Sequence, residues 1–313
     1  MQVNNVVITG ASGFLGKRLV RSFLSLGFKV YAVGRTPLCA DEYQQSLLEN
    51  VYCPMENLRD LPRQISNDVT HFIHLAWEGS TGKERGDTEL QLKNVKFTLD
   101  AVRAAKELGC KRFIGAGTLA ELDALAYIPF DGSTPNLVSN YASAKLCAHF
   151  MSKALCNSLG TDHIWAIISN TYGPGNFTNN FVNFAVTELL KKGSGEFTSG
   201  EQYYDFVYVD DTVEGLLKAC LKGTPNFSYY IGSGEPKRLK YFIEEIRQSL
   251  DPKIPIHLGA IPFNGISHPK DVFDCRKLVE HTDYQPHFSF KEGLALTIPW
   301  IKDNLLKDVS KKI

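Results

Sequence analysis

Val6-Val7-Ile8-Thr9-Gly10-Ala11-Ser12-Gly13-Phe14-Leu15-Gly16 runs from a β-branched strand into three glycines spaced Gly-x-x-Gly-x-x-Gly, and from there into a helix-like segment. The spacing has a use because of that context. Gly10 can take the tight turn after the strand, Gly13 lets backbone approach a pyrophosphate, and Gly16 lets the helix lie close to the strand. The free N–H groups and the dipole at the helix start then favour an anion. The stretch reads as the first βα turn of a dinucleotide-binding sheet.

Outward from that turn, strand-like runs are expected near 5–9, 29–33, 51–53, 70–75, 112–116 and 163–168, and helices near 13–26, 88–108, 138–159 and 182–192. Alternation of this kind is what parallel βαβ units require. Unbroken apolar runs such as Phe72-Ile73-His74-Leu75-Ala76 suit strands covered on both faces, and His74 within one reads as a core histidine. The fold class is therefore α/β, a doubly wound parallel sheet of Rossmann type with a smaller carboxyl-terminal α/β lobe. The expected division is 1–172 for the dinucleotide-binding domain, with later segments returning to it, and 173–313 for a substrate-binding lobe.

Composition excludes several classes. Lys plus Arg and Asp plus Glu both total 34, so no net field draws the chain to nucleic acid or an anionic membrane. Seven single cysteines without a paired metal-ligand spacing point to reduced thiols and no metal. The amino terminus enters a strand directly, without a leader pattern, and no apolar run reaches membrane-spanning length. A cytoplasmic protein is expected.

Further positions carry chemistry. Val33-Gly34-Arg35-Thr36 closes the second strand with an arginine where a carboxylate would take the ribose hydroxyl of NAD. A guanidinium there suits the 2′-phosphate of NADP, so NADP(H) is preferred over NAD(H). Tyr141-Ala142-Ser143-Ala144-Lys145 sets a phenol and an ammonium four residues apart, on one helical face. Lys145 is expected to bring the Tyr141 pKa down toward the working range. Thr118, closing the fifth strand, is expected to hydrogen-bond a substrate carbonyl. Glu121 reads either as a further contact to a sugar ring or as a solvent-facing glutamate at the mouth of the site.

Taken together, the glycine turn, Leu75-Ala76, Asn94-Val95, Thr118, the Tyr141 to Lys145 pair and Asn170-Thr171-Tyr172-Gly173-Pro174-Gly175 resemble the extended short-chain dehydrogenase/reductases. Asp205-Phe206-Val207-Tyr208-Val209-Asp210-Asp211 and Phe288-Ser289-Phe290-Lys291-Glu292-Gly293-Leu294 extend the likeness to the NAD-dependent epimerase/dehydratase group, which acts on nucleotide-linked sugars. The resemblance implies a catalytic triad of Thr118, Tyr141 and Lys145. It implies cofactor contacts from Gly10, Ser12, Gly13, Phe14, Leu15, Gly16 and Arg35, then Leu75, Ala76, Trp77 and Asn94, with Ile168 and Ser169 toward the nicotinamide. Asn170, Asn179, Asn180 and Tyr204 are implied as substrate contacts. A homodimer through the helices near 88–108 and 138–159 is implied as well.

Within that family, dehydratases carry an acidic pair after the catalytic hydroxyl, and Thr118-Leu119-Ala120 has none. Epimerases retain NAD, whereas Arg35 favours an NADPH consumed at each turnover. The sequence thus implies an NADPH-dependent reductase acting on a keto group of a nucleotide sugar, a 4-keto-6-deoxyhexose in the first instance. A nucleotide-sugar 4-epimerase and a non-catalytic NADP-binding regulator are the alternatives.

Overall fold

The computed structural model describes residues 4–39, 43, 46–65, 69–126 and 135–305. The chain divides into two compact units. The first comprises Met1–Ile168, Val213–Tyr230 and Lys277–Tyr284, and the second Ser169–Thr212, Ile231–Arg276 and Gln285–Ile313.

A seven-stranded sheet forms the first unit. Its strands are β1 (Asn5–Thr9), β2 (Lys29–Gly34), β3 (Leu48–Tyr52), β4 (His71–His74), β5 (Arg112–Thr118), β6 (Asp162–Ile168) and β11 (Phe227–Ile231), in the order β11-β6-β5-β4-β1-β2-β3. The pairings from β3 through β6 are parallel. Val6, Val7 and Ile8 are fully buried, as strands covered on both faces must be. Strand order reverses between β1 and β4, which opens a crevice beyond their carboxyl ends. Gly10 and Ala76 lie at that switch point.

Three helices of this unit position the site. α1 (Phe14–Ser25) starts on Gly13 with no side-chain cap and no acidic residue in its first turn. α2 (Thr88–Glu107) is capped by Asp87, whose carboxylate accepts from the Leu90 N–H at 3.0 Å. After the short α3 (Glu121–Leu125), α4 (Ser139–Leu159) ends on Gly160 in the left-handed region, where a residue without Cβ is unstrained. α2 and α4 pack on each other, with Val95, Ala144, Ala148 and Trp165 at their buried contact with the sheet.

In the second unit, β7 (Asn170–Tyr172) and α5 (Phe181–Lys192) precede β8 (Gly195–Phe197), β9 (Tyr203–Tyr204) and β10 (Phe206–Tyr208). α6 (Val209–Lys222) starts here. β12 (Lys237–Arg238), α7 (Leu239–Leu250), β13 (Ile256–Leu258) and, after α8 (Arg276–Thr282), α9 (Phe290–Asn304) complete the described chain. β10 pairs with β7, β12 with β9 and β13 with β8, making three two-stranded sheets. Tyr172 is fully buried against Gly293, where any Cβ would lie 2.0 Å from its hydroxyl, and that hydroxyl donates to the Phe290 carbonyl at 3.0 Å. Ser289 and Glu292 form a reciprocal capping box at the start of α9.

The third strand begins at Leu48, earlier than the expected 51, because Val30 to Gly34 pair with Leu48 to Tyr52. Sequence reading omitted β11, which joins the sheet beside β6 from far along the chain. No described helix is long and apolar enough to cross a membrane.

Candidate active site

The glycine turn packs backbone closely on backbone. Gly10 has φ of +70°, and a Cβ on it would come within 2.9 Å of the Ala76 amide. At Gly16 a Cβ would lie 2.2 Å from the Gly10 carbonyl oxygen, so Gly16 serves the packing of α1 on β1. Beside this turn lies a cavity of about 270 Å³, lined by Gly10, Ser12, Gly13, Arg35, Ala76 and Trp77 among others. The uncapped start of α1 and the bare glycine backbone fit a dinucleotide's pyrophosphate. Arg35 is two-thirds exposed at the cavity and pairs with Glu78 at 2.9 Å. The Phe14 ring lies under the Arg18 guanidinium, 5.3 Å from its centroid, and neither Phe14 nor Leu15 lines the cavity.

Asn94 corrects an expectation. Its amide is 1% exposed and committed to the Glu78 backbone, accepting from the Glu78 N–H at 3.1 Å and donating to the Glu78 carbonyl at 2.9 Å. It fixes the loop after β4 and does not line the cavity.

Thr118, Tyr141 and Lys145 come together where β5 ends and α4 begins. The Tyr141 phenol is buried, and the Thr118 side chain is among the groups that act on it. Lys145 is buried too; its Nζ donates to the Ala116 carbonyl at 2.8 Å and lies 3.8 Å from the Trp77 ring centroid. Burial brings the Lys145 pKa down to about 7, against an upward pull from Glu121. The expected lowering of the Tyr141 pKa by Lys145 is not what the structure displays. Burial pushes the phenol up, while Arg85 and the Thr118 side chain pull it down and Glu121 adds to the rise. An ammonium turned onto a carbonyl and an indole face, and itself easily discharged, is a weak partner for the phenol.

Glu121 is not a solvent-facing glutamate. It is 2% exposed, and its Oε1 accepts from the Thr118 N–H at 2.9 Å and from the Trp165 indole at 2.9 Å. Its Oε2 pairs with His149 Nδ1 at 2.9 Å, and His149 Nε2 meets the Ser228 hydroxyl at 2.7 Å. The His149 ring stacks on Trp165 with centroids 4.8 Å apart. Gly115 and Gly117 leave room for this indole, since a Cβ on either would lie 2.1 Å from it. Sequence reading missed Trp165 and His149, because neither stands at a motif position. The β5 glycines were the available signal.

Ile168 closes β6 opposite Thr118, and its carbonyl accepts from the Leu119 N–H. In the second unit, the Ser169 hydroxyl donates to the Asp205 carbonyl at 2.7 Å and Asn170 Nδ2 donates to the same carbonyl at 3.2 Å. Asn180 caps α5, its Oδ1 accepting from the Asn183 N–H at 3.0 Å, while its buried Nδ2 has no partner among the described residues. Asn179 is exposed and lines a cavity with Phe177 and Asn183. Tyr204 stacks on Phe206 at 5.6 Å.

Comparison with known proteins agrees with this architecture. A family model described as the NAD dependent epimerase/dehydratase family matches residues 6–232. CDP-abequose synthase of Salmonella typhimurium is 25% identical over 92% of this chain and 95% of its own length. Among solved structures, MoeE5 in complex with UDP-glucuronic acid and NAD superposes with a TM-score of 0.76 at 21% identity, covering 96% of this chain and 99% of its own. UDP-glucose 4-epimerase of Thermotoga maritima with UDP-glucose gives 0.74 at 22% identity, covering 96% of this chain and 99% of its own.

Proposed function

The chain belongs to the NAD-dependent epimerase/dehydratase family, and from that premise we propose that it reduces a keto group on a nucleoside-diphosphate sugar, with NADPH as reductant and Tyr141 as proton donor. It is an enzyme of the extended short-chain dehydrogenase/reductase type. The substrate we propose is a 4-keto-6-deoxyhexose carried on the diphosphate.

The observation that carries this reading is the state of the phenol. Burial raises the Tyr141 pKa, so at neutral pH the group holds its proton, and that is the form from which a ketone is reduced. NADPH, when bound, supplies the hydride. Thr118 steadies the substrate carbonyl oxygen, and Tyr141 gives that oxygen its proton as the carbonyl becomes an alcohol. Gly10, Ser12 and Gly13 would hold the pyrophosphate, and Lys145 would hold the ribose.

Arg35 supports NADPH over NADH. Its exposed pair with Glu78 contributes no more than about 1 kcal/mol, so a doubly charged 2′-phosphate can displace the carboxylate. Glu78 also favours a second reading, a nucleotide-sugar 4-epimerase that keeps NAD, because it puts a carboxylate at the same end of the cavity. Asn170, Asn179, Asn180 and Tyr204 remain proposed substrate contacts, and the partnerless Nδ2 of Asn180 is a donor suited to that role.

The test is NADPH consumption with a panel of UDP-, dTDP-, CDP- and GDP-linked 4-keto-6-deoxy sugars. Turnover of at least one is expected. Interconversion of C4 epimers without added reductant would instead establish the epimerase, and tight NADPH binding with no turnover of any kind would leave a regulator.

A further inference from the structure

Arg85 stands over the catalytic phenol, outside every motif of the sequence. Its guanidinium carbon lies 4.5 Å from the centroid of the Tyr141 ring. Its Nε is shielded from solvent and has no hydrogen-bond partner, and no carboxylate among the described residues pairs with it. A guanidinium whose Nε is buried without a partner beside an aromatic ring carries a cost unless it serves the ring or something that reaches it.

The loop that carries Arg85 is held on several sides. Arg85 lies in a 3-10 turn, Gly82–Gly86. Gln91 Nε2 donates to the Gly79 carbonyl at 2.9 Å and to the Glu84 carbonyl at 3.0 Å, and the Trp77 indole donates to Gln91 Oε1 at 3.0 Å. From α4, Asn140 Nδ2 donates to the Gly86 carbonyl at 3.2 Å and to the Thr88 hydroxyl at 2.8 Å. Gly86 lies so close to Leu137 that a Cβ would come within 3.2 Å of it. Residues on both sides of Arg85 are thus tied to α2 and α4, and the guanidinium is delivered to one place.

Among the described residues, the charged groups acting on Tyr141 are Arg85 from this turn and Glu121 from α3, with Lys145 one turn along its own helix; Thr118 adds a hydroxyl and Trp77 an edge-on indole at 6.1 Å. Of the two cations, the ammonium is turned onto Ala116 and Trp77 and loses its charge near neutrality. A guanidinium keeps its charge at any working pH.

We propose that Arg85 is the cation that stabilises the Tyr141 phenolate formed when the phenol gives up its proton, acting through Tyr141 and not on the substrate. The proposal rests on the reading of Tyr141 as the proton donor and adds a positioning residue to it. The O–H bond of Tyr141 breaks, its proton goes to the carbonyl oxygen, and the charge left on the phenolate is met by Arg85. The downward pull of Arg85 on the phenol is in the same sense.

The test has two arms. In the ligand-free protein, tyrosinate absorbance is titrated with pH and the matching Tyr141→Phe curve is subtracted, which isolates Tyr141 from the other tyrosines. Arg85→Gln is expected to move the isolated midpoint to higher pH, and Arg85→Lys to return it most of the way. A midpoint unmoved in Arg85→Gln, or moved equally in both variants, overturns the proposal. This arm needs no substrate, so its outcome is independent of whether any nucleotide sugar is reduced. With a sugar that is reduced, Arg85→Gln is expected to lower kcat roughly ten- to a hundred-fold with KM for the sugar unchanged. A raised KM at unchanged kcat would make Arg85 a substrate contact and overturn the proposal.

Discussion

At the scale of single residues, the site is a set of buried polar groups whose partners decide their behaviour. Tyr141→Phe keeps the ring, its Trp77 contact and the Arg85 face, and removes only the hydroxyl. Turnover should fall by roughly 10²- to 10⁴-fold while NADPH affinity, read from its fluorescence on binding, stays within a factor of about two. Unchanged turnover would rule out the phenol as donor. Arg35→Asp places two carboxylates at that end of the cavity, since Glu78 is already there. A doubly negative 2′-phosphate is then repelled, and the ratio of kcat/KM for NADPH over NADH should drop at least about ten-fold. An unaltered ratio would show that the phosphate lies elsewhere. Glu121 illustrates why residue type alone misleads. A glutamate three positions beyond a catalytic hydroxyl looks available to substrate, yet its oxygens are filled by Thr118, Trp165 and His149. It holds the Thr118 backbone through its N–H.

At the scale of elements, the first βα unit and the α2 and α4 pair make separate predictions. Gly16→Ala drives a Cβ to within 2.2 Å of the Gly10 carbonyl, a backbone atom that moves only if α1 moves. A stability loss of about 1–3 kcal/mol is expected, read from the urea midpoint, together with weakened NADPH binding as the pyrophosphate turn opens. Full NADPH affinity in that variant would mean the turn does not hold the phosphates. Leu92 on α2 and Phe150 and Met151 on α4 are 58%, 56% and 46% exposed, an apolar surface beyond the needs of the unit's own core. We propose that it pairs with the same surface of a second copy. Phe150→Arg should halve the mass measured by light scattering at micromolar concentration. A wild-type protein that is already monomeric would end the proposal.

At the scale of the whole molecule, buried titratable groups shape the dependence of stability on pH. Burial brings His71 down to about 4, with Arg112 adding to the shift, and brings His74 and His163 down to about 3, helped by Lys145 and by His149 with Lys153 respectively. Below pH 6.5 the unfolded chain takes up protons that these folded histidines refuse, so stability falls as pH drops from there toward 3. Lys145 acts in the next window. Its folded pKa of about 7 lies below the ordinary 10.5, so the unfolded state again holds more protons and stability keeps rising above pH 7. The buried thiols reverse the trend, since burial raises Cys53 to about 11 and Cys156 to about 12 from 9.0 and the folded state then holds the extra protons. Thermal midpoints of the ligand-free protein should peak near about pH 8–9 and fall on both sides, with a shallower acid slope in His163→Phe. A maximum at pH 5–6 would contradict the burial of these groups.

Much of this molecule is local in sequence. The glycine turn, the Tyr141 to Lys145 spacing, Thr118 at a strand end and the alternation of strands with helices all rest on neighbours a few residues apart, where backbone sterics and helical periodicity operate. Those features determined the parallel sheet, the dinucleotide cradle and the residues of the proposed triad without reference to anything distant. Tertiary structure alone decided what each polar group faces. It sent Glu121 to Trp165 and His149, spent Asn94 on the Glu78 backbone, turned Lys145 onto Ala116 and Trp77, and brought Arg85 across 56 positions of chain to the Tyr141 ring. The physical reason is that a pKa, and the direction a proton moves, depend on burial and on charges a few ångströms away. Those neighbours come from separate strands and helices, so no window of sequence contains them.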